Sequence, residues 1–268
     1  MTLVSACSTA SQLLDKRAQH HGFEKGLISG DTYQHVSYQK NTGSKHLHVY
    51  LDGDGQPWIS PYIIAEDPTP RRSLILDLMA LDSNDSLYLA RPCYNGSFHA
   101  EHCSNRMWTS HRYANAVVSS MTTAIKNYLS QHDYQDVVLI GHSGGGSLSM
   151  LIADRLPATT TVVTIAANLD TDAWTQQHGY SPLSGSLNPT RRPPLSVNIW
   201  QLHLAGSADD NVPPQIIHNG VERQHNAELL IFADYTHRCC WEKAWPDILK
   251  ALSNQETYLL KQKYTQGS

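Results

Sequence analysis

Long apolar runs are missing from this 268-residue sequence. No stretch approaches the roughly 18 consecutive apolar residues that a membrane-spanning helix requires. A surplus of positive charge is missing too. Lys and Arg number 20 against 24 Asp and Glu, a formal net charge of −4. That argues against a nucleic-acid partner, because broad phosphate binding relies on clustered Lys and Arg. No C-x-x-C pair occurs and no cysteine pairs have zinc-ribbon spacing, so no metal centre is expected. No phosphate-binding loop or dinucleotide fingerprint appears, so no organic cofactor is implied. Internal repeats and low-complexity blocks are absent as well. What remains is an ordinary globular composition, 40% hydrophobic and 16% charged. A chain of this length buries roughly 75% of its unfolded surface on folding.

The five cysteines are Cys7, Cys93, Cys103, Cys239 and Cys240. Cys93 and Cys103 flank a polar loop, Tyr94-Asn95-Gly96-Ser97-Phe98-His99, which a disulfide could close in an oxidising compartment; two free thiols are the alternative. The adjacent Cys239 and Cys240 read by default as small packed thiols, with a strained disulfide as the alternative. Val4-Ser5-Ala6-Cys7 resembles a bacterial lipobox. Only six residues precede Cys7, too few for the basic stretch and the ~7–15 apolar residues of a signal. The expectation is that the remainder lies upstream of Met1. The protein would then sit in the bacterial cell envelope, periplasmic or anchored to the outer membrane through a lipid on Cys7.

Residues 1–22 show no clear periodicity and read as a leader or tether, leaving residues 23–268 for the folded domain. Strand-like and helix-like segments alternate there, the pattern of a mainly parallel twisted sheet flanked by helices, an α/β architecture. Val137-Val138-Leu139-Ile140 is the clearest buried strand, followed by Val162 to Ala166 and Leu229 to Phe232. Leu47 to Leu51 and Leu87 to Leu89 are weaker candidates, and residues 27–38 read as an edge hairpin. Apolar residues spaced by three and four predict a core-facing helix over about 111–130. Further helices are expected from Gly144 to near Pro157 and from Trp241 to Leu252. Residues 168–194 break the alternation with polar residues, Gly and Pro, and read as a short lid-like insertion.

The chemistry concentrates in Gly141-His142-Ser143-Gly144-Gly145, a G-x-S-x-G sequence placed between the best strand and a helix. That context makes Ser143 a candidate nucleophile exposed on a sharp strand-to-helix turn. A serine hydroxyl needs a base to take its proton, and the acid and histidine follow in chain order. Gly206-Ser207-Ala208-Asp209-Asp210-Asn211-Val212-Pro213 follows a strand-like segment, Gln201 to Ala205. His237 follows the strand Leu229 to Phe232 and precedes a Trp-containing helix. Asp170 and Asp172 are alternative acids on the loop after an earlier strand.

Together these segments, over about residues 23–253, resemble the α/β-hydrolase superfamily, and most of all its small bacterial members with a lipoprotein-type signal. The resemblance implies a triad of Ser143, Asp209 and His237. Its G-x-x-D-x-x-V-P pattern selects Asp209 over Asp210. It also implies an oxyanion hole. One amide would come from Gly144 and the other from the turn Asp52-Gly53-Asp54-Gly55, where the family commonly has His-Gly-x. Asp54 takes the second position and Gly53 is the runner-up. Two carboxylates beside a developing oxyanion oppose catalysis unless they are directed away. Leu89-Ala90-Arg91-Pro92-Cys93 and Asn168-Leu169-Asp170 also look similar to those sequences, with no catalytic role attached. Trp174, the large aromatic of the insertion, is the candidate wall of a substrate pocket. The expected activity is hydrolysis of an acyl bond in a small-molecule substrate, a carboxylic ester first. Thioesterase, peptidase, acyltransferase and non-catalytic binding roles are the alternatives on such a scaffold.

Overall fold

The computed structural model describes residues 8–265; Cys7 and the lipobox-like tetrapeptide lie outside the described residues. The first half holds α1 (Ala10–His20), β1 (Glu24–Ser29), β2 (Gln34–Lys40), β3 (His46–Leu51), β4 (Trp58–Ser60), β5 (Ile63–Ile64), α2 (Leu74–Ala80) and β6 (Asp85–Leu89). The alternation that follows is α3 (Asn115–Leu129), β7 (Asp136–His142), α4 (Gly144–Ala153), β8 (Thr159–Ile165), α5 (Thr171–His178) and β9 (Trp200–Gly206). The chain ends with α6 (Pro214–Val221), β10 (Ala227–Phe232), α7 (Trp241–Asn254) and α8 (Tyr258–Tyr264).

Eight strands form one sheet in the order β1-β2-β6-β3-β7-β8-β9-β10, and β4 pairs only with β5. β2 is antiparallel to both its neighbours, while every pair from β6 to β10 is parallel. The period of two along each strand divides the side chains between two cores. Val137 and Leu139 of β7 pack with α3 and α4, whereas Val138 and Ile140 pack with α2 and α7. Both faces of the sheet are therefore covered, which is why its strands read as continuous apolar runs. All parallel strands point their carboxyl ends to one rim. There the loops after β3, β7, β9 and β10 converge, the usual place for a ligand site on an open α/β sheet.

Several expectations need correction. Residues 10–20 are not a tether but the helix α1, opened by a Thr9–Gln12 capping box. Its stripe is narrow, with Leu14 and Ala18 buried one turn apart, too short a signal for periodicity to reveal. Polar contacts complete the docking: Asp15 accepts from Tyr38 and Lys25. The edge hairpin is longer than 27–38, running Glu24–Ser29 and Gln34–Lys40. The insertion at 168–194 is partly helical: it carries α5 and a 3₁₀ turn at Pro189–Arg191. Asp170 caps α5 by accepting from the Ala173 amide, and Gly179 ends it in the left-handed region at φ 63°. Cys93 and Cys103 are joined by a disulfide with Cα atoms 5.6 Å apart. Cys239 and Cys240 are joined as well, contrary to the packed-thiol reading.

Candidate active site

Ser143 stands at the junction of β7 and α4 with φ 54° and ψ −125°, a region a non-glycine residue adopts only under constraint. Its amide donates to Ile165 O at 2.9 Å and its carbonyl accepts from Gly146 N at 3.0 Å. Gly141 permits the close approach that follows, since a Cβ there would collide with the Gly145 carbonyl. The turn thus lifts the hydroxyl off the end of the strand.

The loop after β10 carries His237 to the same rim. Its Nε2 lies 3.1 Å from Ser143 Oγ, and its Nδ1 lies 2.9 Å from Asp209 Oδ2. Asp209, on the loop after β9, is buried. Its other oxygen accepts from the amides of Asn211 at 3.0 Å and Val212 at 2.9 Å. The carboxylate is fixed, and as an acceptor it selects the tautomer with the proton on Nδ1. Nε2 is left as an acceptor facing the serine hydroxyl. Asp210 is exposed and lines the cleft without a hydrogen bond to His237. Asp170 and Asp172 are occupied elsewhere, both accepting from Asn188.

Two neighbours of His237 escaped sequence reasoning. His142, the residue before Ser143, places its Nε2 2.8 Å from the His237 carbonyl. Burial first, and then the nearby His237, push the His142 pKa down to about 3. The ring is therefore neutral, and its Nε2–H donates to that carbonyl, fixing the backbone of the loop. Asn211 places its side-chain amide 3.1 Å from His237 Nε2. The Asn211 carbonyl in turn accepts from Trp174 Nε1 at 2.9 Å and meets His178 Nε2 at 2.8 Å. Helix α5 is thereby tied to the loop that bears Asp209.

The turn after β3 packs directly on the serine: a Cβ added to Gly53 would stand 3.3 Å from Ser143 Cβ. The Gly53 amide already donates to Asp52 Oδ1 at 2.9 Å. The amides of Asp54 and Gly144 have no acceptor among the described residues. The two carboxylates of this turn are placed differently from expectation. They are not simply turned away, since the Asp54 carboxylate lies against Gly144, where any Cβ would collide with it. Its charge is cancelled instead. Arg91 Nη2 is 2.7 Å and Arg112 Nη1 2.8 Å from its oxygens, and Tyr113 donates to it at 2.8 Å. Burial would raise the Asp54 pKa, but the two guanidinium groups outweigh burial and hold it at about 2. Two cations face this one carboxylate, and Arg91 also acts on the buried Asp52. Asp52 moves the other way: burial raises its pKa against the hydrogen bonds and the Arg91 charge that lower it.

Trp174 lines the same cleft as Ser143, a cavity of about 1180 Å³. Its ring lies 6.0 Å from the Arg112 guanidinium and edge-on to Tyr180. The structure thus brings Ser143, Asp209 and His237 into one hydrogen-bonded chain, sets Gly144 and Asp54 beside it, and puts Trp174 in its cleft. Arg91, Arg112 and Tyr113 had no assigned role. Only Arg91 fell in a segment that resembled the family.

No family model matches the chain, and no curated protein sequence matches it. Solved structures do. An esterase of Pyrococcus furiosus is 13% identical with a TM-score of 0.60, covering 92% of this chain and 95% of that one. A proline iminopeptidase of Mycobacterium smegmatis is 12% identical with a TM-score of 0.63, covering 87% and 97%. A bacterial membrane phospholipase A is 12% identical with a TM-score of 0.57, covering 90% and 91%. The chain has the α/β-hydrolase fold that these structures share.

Proposed function

We propose that this chain is a serine hydrolase that cleaves an acyl bond, a carboxylic ester first, through an acyl-enzyme. The observation that carries the reading is the hydrogen-bonded chain Ser143–His237–Asp209 beside two amides with no acceptor among the described residues. Similar folds that bear the names esterase, peptidase and phospholipase support hydrolysis as the reaction class.

The chemistry runs in two halves. Ser143 Oγ attacks the acyl carbonyl while His237 Nε2 takes its proton, and Asp209 stabilises the imidazolium through Nδ1–H. The Gly144 and Asp54 amides hold the oxyanion, a contribution typically of about 3–4 kcal/mol per donor. Arg91 and Arg112 offset the Asp54 carboxylate beside that site. His237 passes its proton to the departing alkoxide. Water then enters and gives a proton to the same nitrogen as its oxygen attacks the acyl carbonyl; the Oγ–acyl bond breaks, the acid leaves, and Nε2 returns the proton to Ser143 Oγ. Trp174 walls the site against the acyl chain or the leaving group.

The test is turnover of p-nitrophenyl esters of graded chain length by the purified protein. Hydrolysis that disappears in Ser143→Ala supports the reading; activity on anilides or thioesters alone would move it to a peptidase or thioesterase. We further propose residence in an oxidising bacterial envelope, with a lipid on Cys7. The Cys93–Cys103 disulfide supports the compartment, and an in-frame basic and apolar stretch encoded upstream of Met1 would support the anchor. A stop codon there removes the anchor.

A further inference from the structure

The short hairpin of β4 and β5 stands apart from the main sheet and carries an unusual load of exposed apolar surface. Trp58 is 41% exposed, Ile59 66%, Tyr62 93% and Ile63 55%. Single exposed apolar residues are common on soluble proteins, but four large ones within six positions form a patch that needs a partner. Trp58 and Pro61 of this hairpin also line the cleft that holds Ser143. Across the opening, Tyr180 and Pro182 are exposed and line the same cleft. The catalytic cleft therefore opens between two apolar lips.

Positive charge surrounds that opening. Arg72 and Arg238 line the cleft, and Arg71 is exposed beside Arg72. None of the three is ion-paired with a described residue, whereas most other arginines are. The single exposed carboxylate lining the cleft is Asp210. Trp and Tyr favour the boundary between water and lipid headgroups, and unpaired arginines near such a boundary are attracted to anionic lipid. A rigid protein seated on Trp58 and Pro61 would cover the opening through which substrate must pass. A lipid surface would instead present substrate to it.

We propose that the β4–β5 hairpin, with Arg71, Arg72 and Arg238, docks the enzyme onto a lipid surface that carries negative charge, so that the cleft draws a lipid ester directly from that surface. The docking stands on the hairpin's own exposure and charge; the choice of a lipid ester as substrate rests on the hydrolase reading above. The hairpin and the lip at Tyr180 then straddle the plane of the headgroups, with the acyl chain leading toward Trp174.

Sedimentation with vesicles separates the two claims. The full chain carrying Ser143→Ala is mixed with phosphatidylcholine vesicles, with and without phosphatidylglycerol, and bound protein is measured. Binding is expected to be strong with phosphatidylglycerol, weaker without it, and reduced by added salt. Adding Ile59→Ser and Tyr62→Ser should lower partitioning by about tenfold or more. The same two changes in active protein should leave hydrolysis of a soluble short-chain ester unchanged. Equal partitioning of the parent and the doubly changed protein overturns the docking surface, as does no binding to either vesicle. Equal binding to neutral and anionic vesicles overturns the role of the arginines. A lipid-free dimer that Tyr62→Ser dissociates would assign the patch to a second copy of the chain instead. If soluble esters are not hydrolysed, the hydrolase reading fails while vesicle binding is still scored.

Discussion

Asp209 and Asp210 are neighbours with opposite environments. Asp209 is buried, holds His237 Nδ1 and accepts from two backbone amides; Asp210 is exposed at the cleft wall. Asp209→Ala should therefore lower kcat by about three to four orders of magnitude, in line with loss of the orienting acid in such triads. Asp210→Ala should cost less than about tenfold. Steady-state kinetics on one soluble ester compares them, and a reversal of the two effects would assign the acid to Asp210. At this scale the sequence was informative where order along the chain anticipates which side chains meet. Serine, acid and histidine appear in sequence as the fold requires, and each follows a strand. The support around them was not legible. Arg91 and Arg112 reach Asp54 from 37 and 58 residues away, and no local spacing marks such a meeting. His142 lay inside the motif itself, but its bond to the His237 carbonyl depends on how the loop after β10 returns.

At the level of elements, the long and strongly patterned pieces were readable and the short ones were not. α3 was expected over 111–130 and spans Asn115–Leu129; residues 111–114 turn into it, with the Ala114 amide bonded to His111 O. β7 and β8 declared themselves as apolar runs because both faces are covered. α1 and the β4–β5 hairpin did not, since two buried residues or two paired positions leave no period to detect. Helix α5 is the element that brings a large aromatic ring to the cleft. It holds Trp174 against the cleft and ties it to the Asn211 carbonyl. Trp174→Ala should shift the preferred ester chain length while changing kcat/KM for the shortest ester by less than about tenfold, because an apolar wall acts on the longer chain. A profile of p-nitrophenyl esters of increasing length reads this directly. An unaltered profile would remove Trp174 from the substrate site.

For the whole molecule, the buried histidines set the response to acid. Burial lowers the pKa of His35 to about 4 and of His203 to about 3, and His142 also stands at about 3. An unfolded histidine titrates near 6.5, so below that pH the unfolded chain takes up protons that the native state refuses. Stability is full above about pH 6.5 and is lost progressively as pH falls toward about 3. Each group contributes up to about 1.4 kcal/mol per pH unit within that window. Asp54 adds its own loss on the way from its ordinary carboxylate value of 3.8 to about 2. The melting temperature should fall steeply between about pH 6.5 and about pH 4.5, and a constant value across that range would contradict neutral buried rings.

The fold itself has outlasted the sequence signal: similar structures share 12–13% of residues yet superpose over most of both chains. Fold therefore cannot stand in for chemistry, and the central claim concerns one oxygen atom, Ser143 Oγ. It is tested most directly by treating the folded protein with a fluorophosphonate and mapping the adduct by mass spectrometry. One adduct per chain on the peptide containing Ser143, absent from Ser143→Ala and much slower to form in His237→Ala, is the predicted result. No adduct on folded protein, or equal labelling of Ser143→Ala, would contradict the account.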